Sequence, residues 1–397
     1  MKTKLLGALA LCLMLASCFE EGYDVRDIDM TLKFGSDTLW TPYNCTGDIM
    51  LRGFVYPTRT IRFMDLPGGK RYYAVYVSDE NPTDETGRYD FTMKVPAGSE
   101  TLEKTGVWQR DITLGGMPDF MKEDDVVLDL ENPMVFVTAQ NESPCNLSTH
   151  LTIRTYDAAG AMIRECVTEE VTLAANQTQR ICLAESEPVK WEREMHGARY
   201  VQCAGLSELV RKIPHHIEVE AGDVKSETLQ PELAGQYFTM RLRFGVFVPF
   251  EFGPDFHLIA RGETDSLAFE LADYADLQPE EIVVEATADN DIALDLSVTG
   301  HLLDEAGNDI EGLVIDKAFV PAMRKGHPIE LHLKAVAPFH LNNFMDGSGG
   351  AKKLHHLKAE AEMTTGDYPS ELISADSKIR LHHVRVGIVG GITINAN

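Results

Sequence analysis

The chain reads as mainly β, a protein of tandem antiparallel β-sandwich domains with a short, partly helical connector. Three observations carry this expectation. Short runs that alternate apolar and polar residues recur along the 397 residues, separated by Gly, Asn, Asp and Pro, the pattern of half-buried strands ended by turns. Helical periodicity is scarce: in the best stretch, Tyr200–Lys212, Val201, Ala204, Leu206, Leu209 and Val210 recur at helical spacing before Pro214 stops the run. A segment also repeats. Val135–Arg164 slides by 147 positions onto Ile282–Glu311 without a gap, and 8 of the 30 aligned positions are identical.

Residues 1–17 read as a targeting segment. Lys2 and Lys4 precede an apolar run, Leu5–Ala16, and small residues stand before Cys18. A basic start, a short apolar stretch and small residues before the cut describe a secretory signal. The run is too short for a membrane anchor, which takes about 20 apolar residues. Leu15-Ala16-Ser17-Cys18 resembles the lipobox of bacterial lipoproteins. That resemblance implies that Cys18 is acylated and becomes the mature N-terminus. Glu20 and Glu21 follow closely and are similar to the short export tag of Bacteroidota-type lipoproteins, which are carried to the outer face of the outer membrane. Phe19, rather than an aspartate, follows the cysteine directly.

The rest divides by its punctuation. An N-terminal β region is expected at 19–123, with a strand over Tyr72–Ser78. A first sandwich at 124–185 holds strands at Val135–Ala139, Leu147–Tyr156 and Ile181–Leu183. The partly helical connector occupies 186–235. A second, larger sandwich fills 236–397, with strands at Met240–Val248, Ile282–Ala286, Ala293–Leu303, Ile329–Val336 and Ile379–Ile388, and a short helix near Ser266–Ala275. Pro249 suits an edge or a bulge better than a central strand, because it has no N–H to give to a ladder.

The two copies of the repeat share an order: an apolar strand, a polar corner, a longer alternating strand, then a D-x-A-G turn. The alignment places Leu147 with Leu294 and Asp157 with Asp304. Both leucines are expected to be buried and both aspartates to sit in exposed turns, where a glycine takes positive φ and the aspartate caps the turn. The module resembles the sandwich of late-embryogenesis-abundant-type proteins, in which an N-x-x-P corner precedes an alternating strand and a D-x-x-G hairpin. Asn141 and Pro144 carry that corner in the first copy; the aligned positions in the second are Ala288 and Asp291, so the corner reads as diverged. Together with the lipobox, the Asp27–Leu32 strand and the Val248–Gly253 segment, the module makes the mature chain similar to uncharacterised Bacteroidota-type surface lipoproteins. The resemblance implies a fold and an address, and no catalytic residues.

The formal net charge is −26, and the signal removes Lys2 and Lys4 but no acid, which leaves −28. A surface this acidic repels nucleic acid and anionic lipid. The mature chain keeps Cys18 for lipid and five other cysteines, Cys45, Cys145, Cys166, Cys182 and Cys203. Export permits disulfides. If Ala174–Asn176 is a turn, Cys166 and Cys182 lie opposite each other on a hairpin and form the candidate bridge.

Motifs with a mechanism are missing: no P-loop, Rossmann fingerprint, H-E-x-x-H or G-x-S-x-G elbow occurs. Seven of the 13 histidines lie between His327 and His383. Of these, His355, His356, His382 and His383 are weak metal candidates, because adjacent residues on a strand point to opposite faces and each pair offers one imidazole to a side. No metal and no cofactor is expected. Acidic turns at Asp289–Asp291 and Asp304–Asp309 read as solvated, since no calcium-loop spacing is present. Trp40 and Tyr43, around Pro42, form the one candidate aromatic platform for a glycan.

The expectation is a non-catalytic, lipid-anchored protein of the outer membrane or cell surface with a binding or structural role, of adhesin, fimbrial or glycan-uptake accessory type. Its partners are the membrane, through the acyl chains, and glycans or proteins at the surface, and not nucleic acid. The alternatives are an outer-membrane assembly or lipid-handling partner, marked by a long apolar groove, and a surface hydrolase, marked by a cleft with a shifted carboxylate pair.

Overall fold

The computed structural model describes residues 38–40, 45–50, 61–65, 71–77, 88–105, 109–113, 123, 125–191, 194–226, 229–264 and 280–390. The signal with Cys18, Asp27–Leu32, Tyr43, Trp108 and Ser266–Ala275 lie outside the described residues.

The chain is mainly β, as its alternation predicts. It opens with β1 (Leu39–Trp40) and β2 (Cys45–Met50). There follow β3 (Ile61–Asp65), β4 (Arg71–Val77), β5 (Arg88–Lys94), β6 (Glu103–Thr105), β7 (Gln109–Thr113), β8 (Met134–Asn141), β9 (Leu147–Thr149) and β10 (Leu151–Tyr156). Next are β11 (Met162–Val167), β12 (Val171–Leu173), β13 (Gln177–Ala184), β14 (Ala198–Gln202), β15 (His216–Ala221) and β16 (Tyr237–Pro249). The last are β17 (His257–Thr264), β18 (Glu281–Asn290), β19 (Asp295–Leu303), β20 (Leu313–Ile315), β21 (Ala318–Val320), β22 (His327–Ala335), β23 (His356–Thr364) and β24 (Lys378–Val389). Two compact units emerge. One spans 57–256 with 369–375, and the other is split into 1–56, 257–368 and 376–397. We call them the inserted and the split unit.

In the inserted unit β8 is central, paired with β13 on one side and β16 on the other. β16 then pairs with β5 along 237–243 and with β4 along 246–249. The second sheet runs β11-β10-β15-β7, beside the ribbon β12-β9. Among the described strands, β13 with β14 is the parallel exception to an antiparallel rule. The core forms where Val137, Ala139, Ile181, Leu183 and Phe244 of the first sheet meet Leu151, Ile153, Val219 and Ala221 of the second. Side chains alternate along a strand. Phe136, Cys182 and Ala184 therefore point the other way, into a second cluster with Tyr72, Trp191 and Phe247.

The split unit repeats this plan. β18 is central between β22 and β24. β24 pairs with β2 along 378–384 and with β1 along 387–388. The second sheet runs β17-β23-β19-β21. Strand for strand, β22-β18-β24 with β2 and β1 corresponds to β13-β8-β16 with β5 and β4. In the other sheet β21-β19-β23-β17 corresponds to β12-β9, β10, β15 and β7. The second sandwich is thus interrupted after its first two strands by all the named strands of the first.

The repeat is real, but its register changes along the strand. Asp157 Oδ1 accepts from the N–H groups of Ala159 and Ala161 at 2.9 and 2.8 Å, and Asp304 Oδ1 from those of Ala306 and Asn308 at 3.0 and 2.9 Å. Gly160 and Gly307 both take φ +80°. Here the offset of 147 holds. At the corner it is 149: the amide Nδ2 of Asn141 donates to the Cys145 carbonyl, and that of Asn290 to the Leu294 carbonyl. The counterpart of Asn141 is therefore Asn290 rather than Ala288, and the corner has kept its asparagine. The partner of Leu147 is Leu296, which pairs with Val320 as Leu147 pairs with Leu173. The first copy has two more residues between corner and turn, and its strand is broken at His150, between β9 and β10.

Three expectations change. The units divide at 56/57 and 256/257, instead of at 123/124, 185/186 and 235/236, because β16 pairs with β8 and β15 with β10. The connector at 186–235 is consequently part of the first sandwich. Its periodic stretch is helical only at Leu206–Leu209, and Tyr200–Gln202 extends along β13 as β14. A short apolar stretch is ambiguous between the two periods, and the open edge of β13 decides it. Finally, β16 is a central strand despite Pro249. The proline is its last residue and lies beyond the Phe247–Met134 pair that ends the ladder to β8.

Candidate functional site

The inserted unit holds an apolar cavity of about 80 Å³ between its two sheets. Val135, Phe244, Val246 and Val248 form one wall, from β8 and β16. Ile153, Thr155, Ile217 and Val219 form the opposite wall, from β10 and β15. The segment after β14 closes one side with Leu206, Leu209, Val210 and Ile213. Val135, Val210, Ile213, Ile217 and Val246 are half-buried, so the cavity approaches the surface along this side. A water needs about 10–15 Å³ and several polar partners. The space is ample, but the lining is apolar.

One polar atom breaks that lining. Thr155 is fully buried, and its hydroxyl has no hydrogen-bond partner. It faces inward because Leu151, Ile153 and Thr155 share the core face of β10, while Arg154 points outward to Glu165, Glu218 and Glu220. An unsatisfied buried hydroxyl costs about 1–3 kcal/mol, so such atoms are rare. Among the described residues no titratable side chain lines the cavity. It can hold an apolar group and offer it one hydrogen bond, and it lacks an acid, a base and a charged anchor. A larger depression of about 400 Å³ lies elsewhere on the same unit, lined by Asn146, Glu170, Thr172, Gln179, Arg199 and Lys225 among others. The Arg199 guanidinium is committed there to the hydroxyl and carbonyl of Thr172.

The cysteines are rearranged relative to the expected hairpin. β11 pairs with β10 and β13 with β8, so the two strands belong to different sheets. Cys166 points into the core between the sheets, while Cys182 points to the far face of its own sheet. The Cys166–Cys182 bridge is therefore replaced: the sulfur beside Cys166 is that of Cys203, at 3.0 Å. Sequence spacing could not signal this contact, because Cys203 arrives through the parallel strand β14.

The histidine pairs do not converge. His355 and His356 are adjacent, with ring centroids 6.1 Å apart. His382 bonds Asp289 at 3.0 Å, and His383 takes φ +53° where β24 slips register against β18, the mark of a bulge. Among the described residues no three of His, Cys, Asp and Glu come together as a metal-binding group. Asp289 also accepts from the Gly326 N–H, and Asp304 is tied to Lys352, so these acidic turns are internally bonded. Trp191 is buried in the core, and Trp40 is half-buried under the Arg385 guanidinium, 4.1 Å from its ring centroid.

No protein-family model matches the chain, and no curated protein matches it in sequence. Among solved structures it is similar to a candidate secreted protein from Parabacteroides distasonis ATCC 8503, with a TM-score of 0.57 and 18% identity, over 89% of this chain and 100% of that one. The two share a fold. The chain is also similar to a structure of infectious bursal disease virus, Gx strain, with a TM-score of 0.24 and 8% identity over 83% of this chain and 46% of that one. With the tandem CBM22-1-CBM22-2 domain of Paenibacillus barcinonensis Xyn10C the TM-score is 0.19 and the identity 8%, over 91% and 98%. Neither of these last two likenesses carries an argument.

Proposed function

We propose that this is an exported envelope protein, held in the outer membrane by acyl chains on Cys18 and displayed at the cell surface, that works by binding rather than by catalysis. The address is supported by the lipobox Leu15-Ala16-Ser17-Cys18, by the acidic residues after it, and by the fold shared with a candidate secreted protein of a Bacteroidota species. The Asn141 and Asn290 corners and the Asp157 and Asp304 turns support kinship of its modules with the late-embryogenesis-abundant-type sandwich.

The observation that carries the binding role is the cavity lined by apolar side chains around the lone hydroxyl of Thr155. A space of this size suits a short acyl or other small apolar group with one hydrogen-bonding atom, and so favours lipid handling over glycan capture. Glycans need exposed aromatic faces and polar partners, and neither described tryptophan supplies one, since Trp191 is buried and Trp40 is covered by Arg385. A hydrolase would need an acid–base pair, and the cavity lining holds no titratable group among the described residues. Calorimetric titration of the purified protein with a short-chain aliphatic alcohol tests the reading. Saturable binding that Ile213→Trp abolishes by filling the cavity is the expected result. Non-saturable binding, or binding that Ile213→Trp leaves unchanged, would reject the cavity as the site.

A further inference from the structure

We propose that Cys166 and Cys203 form a disulfide in the exported protein, and that this bond pins the wall of the apolar cavity to the edge of the second sheet. The two sulfurs are 3.0 Å apart, and both residues are buried, at 4% and 0% exposure. A disulfide needs about 2.05 Å, so the sulfurs close by about 1 Å. The other buried cysteines are held elsewhere: Cys145 in the Asn141 corner and Cys182 on the far face of its sheet. Cys166 sits on β11, the edge strand of the second sheet. Cys203 directly precedes the segment that contributes Leu206, Leu209, Val210 and Ile213 to the cavity. The cross-link therefore ties that wall to a sheet edge 37 residues earlier in the chain.

The chemistry balances with one partner, a protein thiol–disulfide oxidant of the export route. The two thiols share one S–H···S contact, in which either sulfur can donate, and it holds Cys203 below the ordinary thiol pKa and Cys166 above it. As the chain folds, the Cys203 thiolate attacks the disulfide of the oxidant to give a mixed disulfide, and one oxidant sulfur leaves as a thiolate. The Cys166 thiolate then displaces the second. The pair gives up two protons and two electrons in all, and the oxidant takes up both protons and both electrons and departs as a dithiol. The proposal rests on the export reading for this oxidant, whereas the pairing rests on geometry alone.

Two arms keep these separate. Protein isolated from its own cells under an alkylating trap is digested without reduction and its peptides weighed. Purified, reduced and unfolded protein is refolded with oxidised glutathione and treated in the same way. A Cys166–Cys203 peptide 2 Da lighter than the two thiols in both arms is the expected result, with Cys182 alkylated. Reduction of the linked protein should lower its melting temperature by about 5–10 °C and speed hydrogen exchange at 204–214. Cys166→Ser with Cys203→Ser should abolish the linked peptide. Free thiols in the cellular arm alone would overturn the disulfide in the living cell and count against export. A missing link, or a link to Cys182, after refolding would overturn the pairing itself.

Discussion

Asn141 and Asn290 perform one task in two corners. Each is buried, and each side-chain amide donates to the carbonyl four residues on, at 2.8 Å to Cys145 and 3.0 Å to Leu294. Each also reaches the returning strand, at 3.1 Å to the Ala174 carbonyl and 3.0 Å to that of Pro321. Each Oδ1 accepts from the backbone N–H two residues ahead, of Ser143 or Ile292. One side chain thereby satisfies backbone groups that a buried corner would otherwise leave without partners.

Asn141→Ala should destabilise the inserted unit, and Asn290→Ala the split unit, each by about 2–3 kcal/mol, because buried carbonyls lose their donor. Asn→Asp should be no better, since a carboxylate cannot donate. Urea unfolding, with hydrogen exchange to assign the loss to a unit, checks this. A loss below 0.5 kcal/mol, the size of an ordinary surface change, would contradict the corner argument.

Thr155→Val removes the unpartnered hydroxyl at nearly constant shape. The ligand-free protein should gain about 1 kcal/mol, because the cost of burying the hydroxyl disappears. Affinity for an apolar ligand that uses that hydroxyl should fall by about tenfold, the loss of one hydrogen bond. Calorimetry of the free protein and probe titration give the two numbers. A variant that is less stable would show that the hydroxyl is already satisfied.

Leu147→Ala and Leu296→Ala should each cost about 2–5 kcal/mol, the range for a buried leucine. Leu147 is 2% exposed and Leu296 8%, so the first should be the larger loss. Denaturant unfolding of both variants tests the equivalence.

The split unit should be the more acid-sensitive. Arg380 and Lys378 hold Asp48 well below the usual carboxylate range, and Lys352 with the Asn308 N–H does the same for Asp304. The Gly326 N–H and His382 lower Asp289, and Lys317 lowers Glu362. All four carboxylates lie in this unit. A carboxylate whose pKa drops on folding contributes fully above its unfolded pKa of about 4, and that contribution fades as the pH falls through the folded value. Stability should be level above about pH 5 and decline below about pH 4, in the split unit first. Hydrogen exchange across a pH series resolves the order. Earlier loss of the inserted unit would refute it.

Cys18→Ala should release the protein from the membrane or leave an uncleaved precursor. Two or three acyl chains anchor firmly where one does not, at about 0.8 kcal/mol per buried methylene. Mass spectrometry of the N-terminus reads the outcome, and an unmodified start elsewhere would remove the lipid anchor from the reading.

Alternation of apolar and polar residues was enough to place β4, β8, β13, β16, β18, β19, β22 and β24, because each turns at least one face to a core and the period of two is local. The D-x-A-G turns were equally legible, since the bonds from Asp157 and Asp304 that shape the turns go to N–H groups two and four residues ahead. The Asn290 corner was hidden, because a gapless comparison carries one register through and the break at His150 shifts it by two. What the residues determined alone was the strand content and the repeated unit. What tertiary structure decided was everything that depends on which strands become neighbours. Pairing of β1 and β2 with β24 splits one sandwich around the other. Placing β11 and β13 in different sheets parts Cys166 from Cys182 and brings in Cys203. The same stacking of β10 and β15 against β8 and β16 encloses the cavity and leaves the Thr155 hydroxyl inside it. These contacts join residues tens to hundreds of positions apart, and no local period records them.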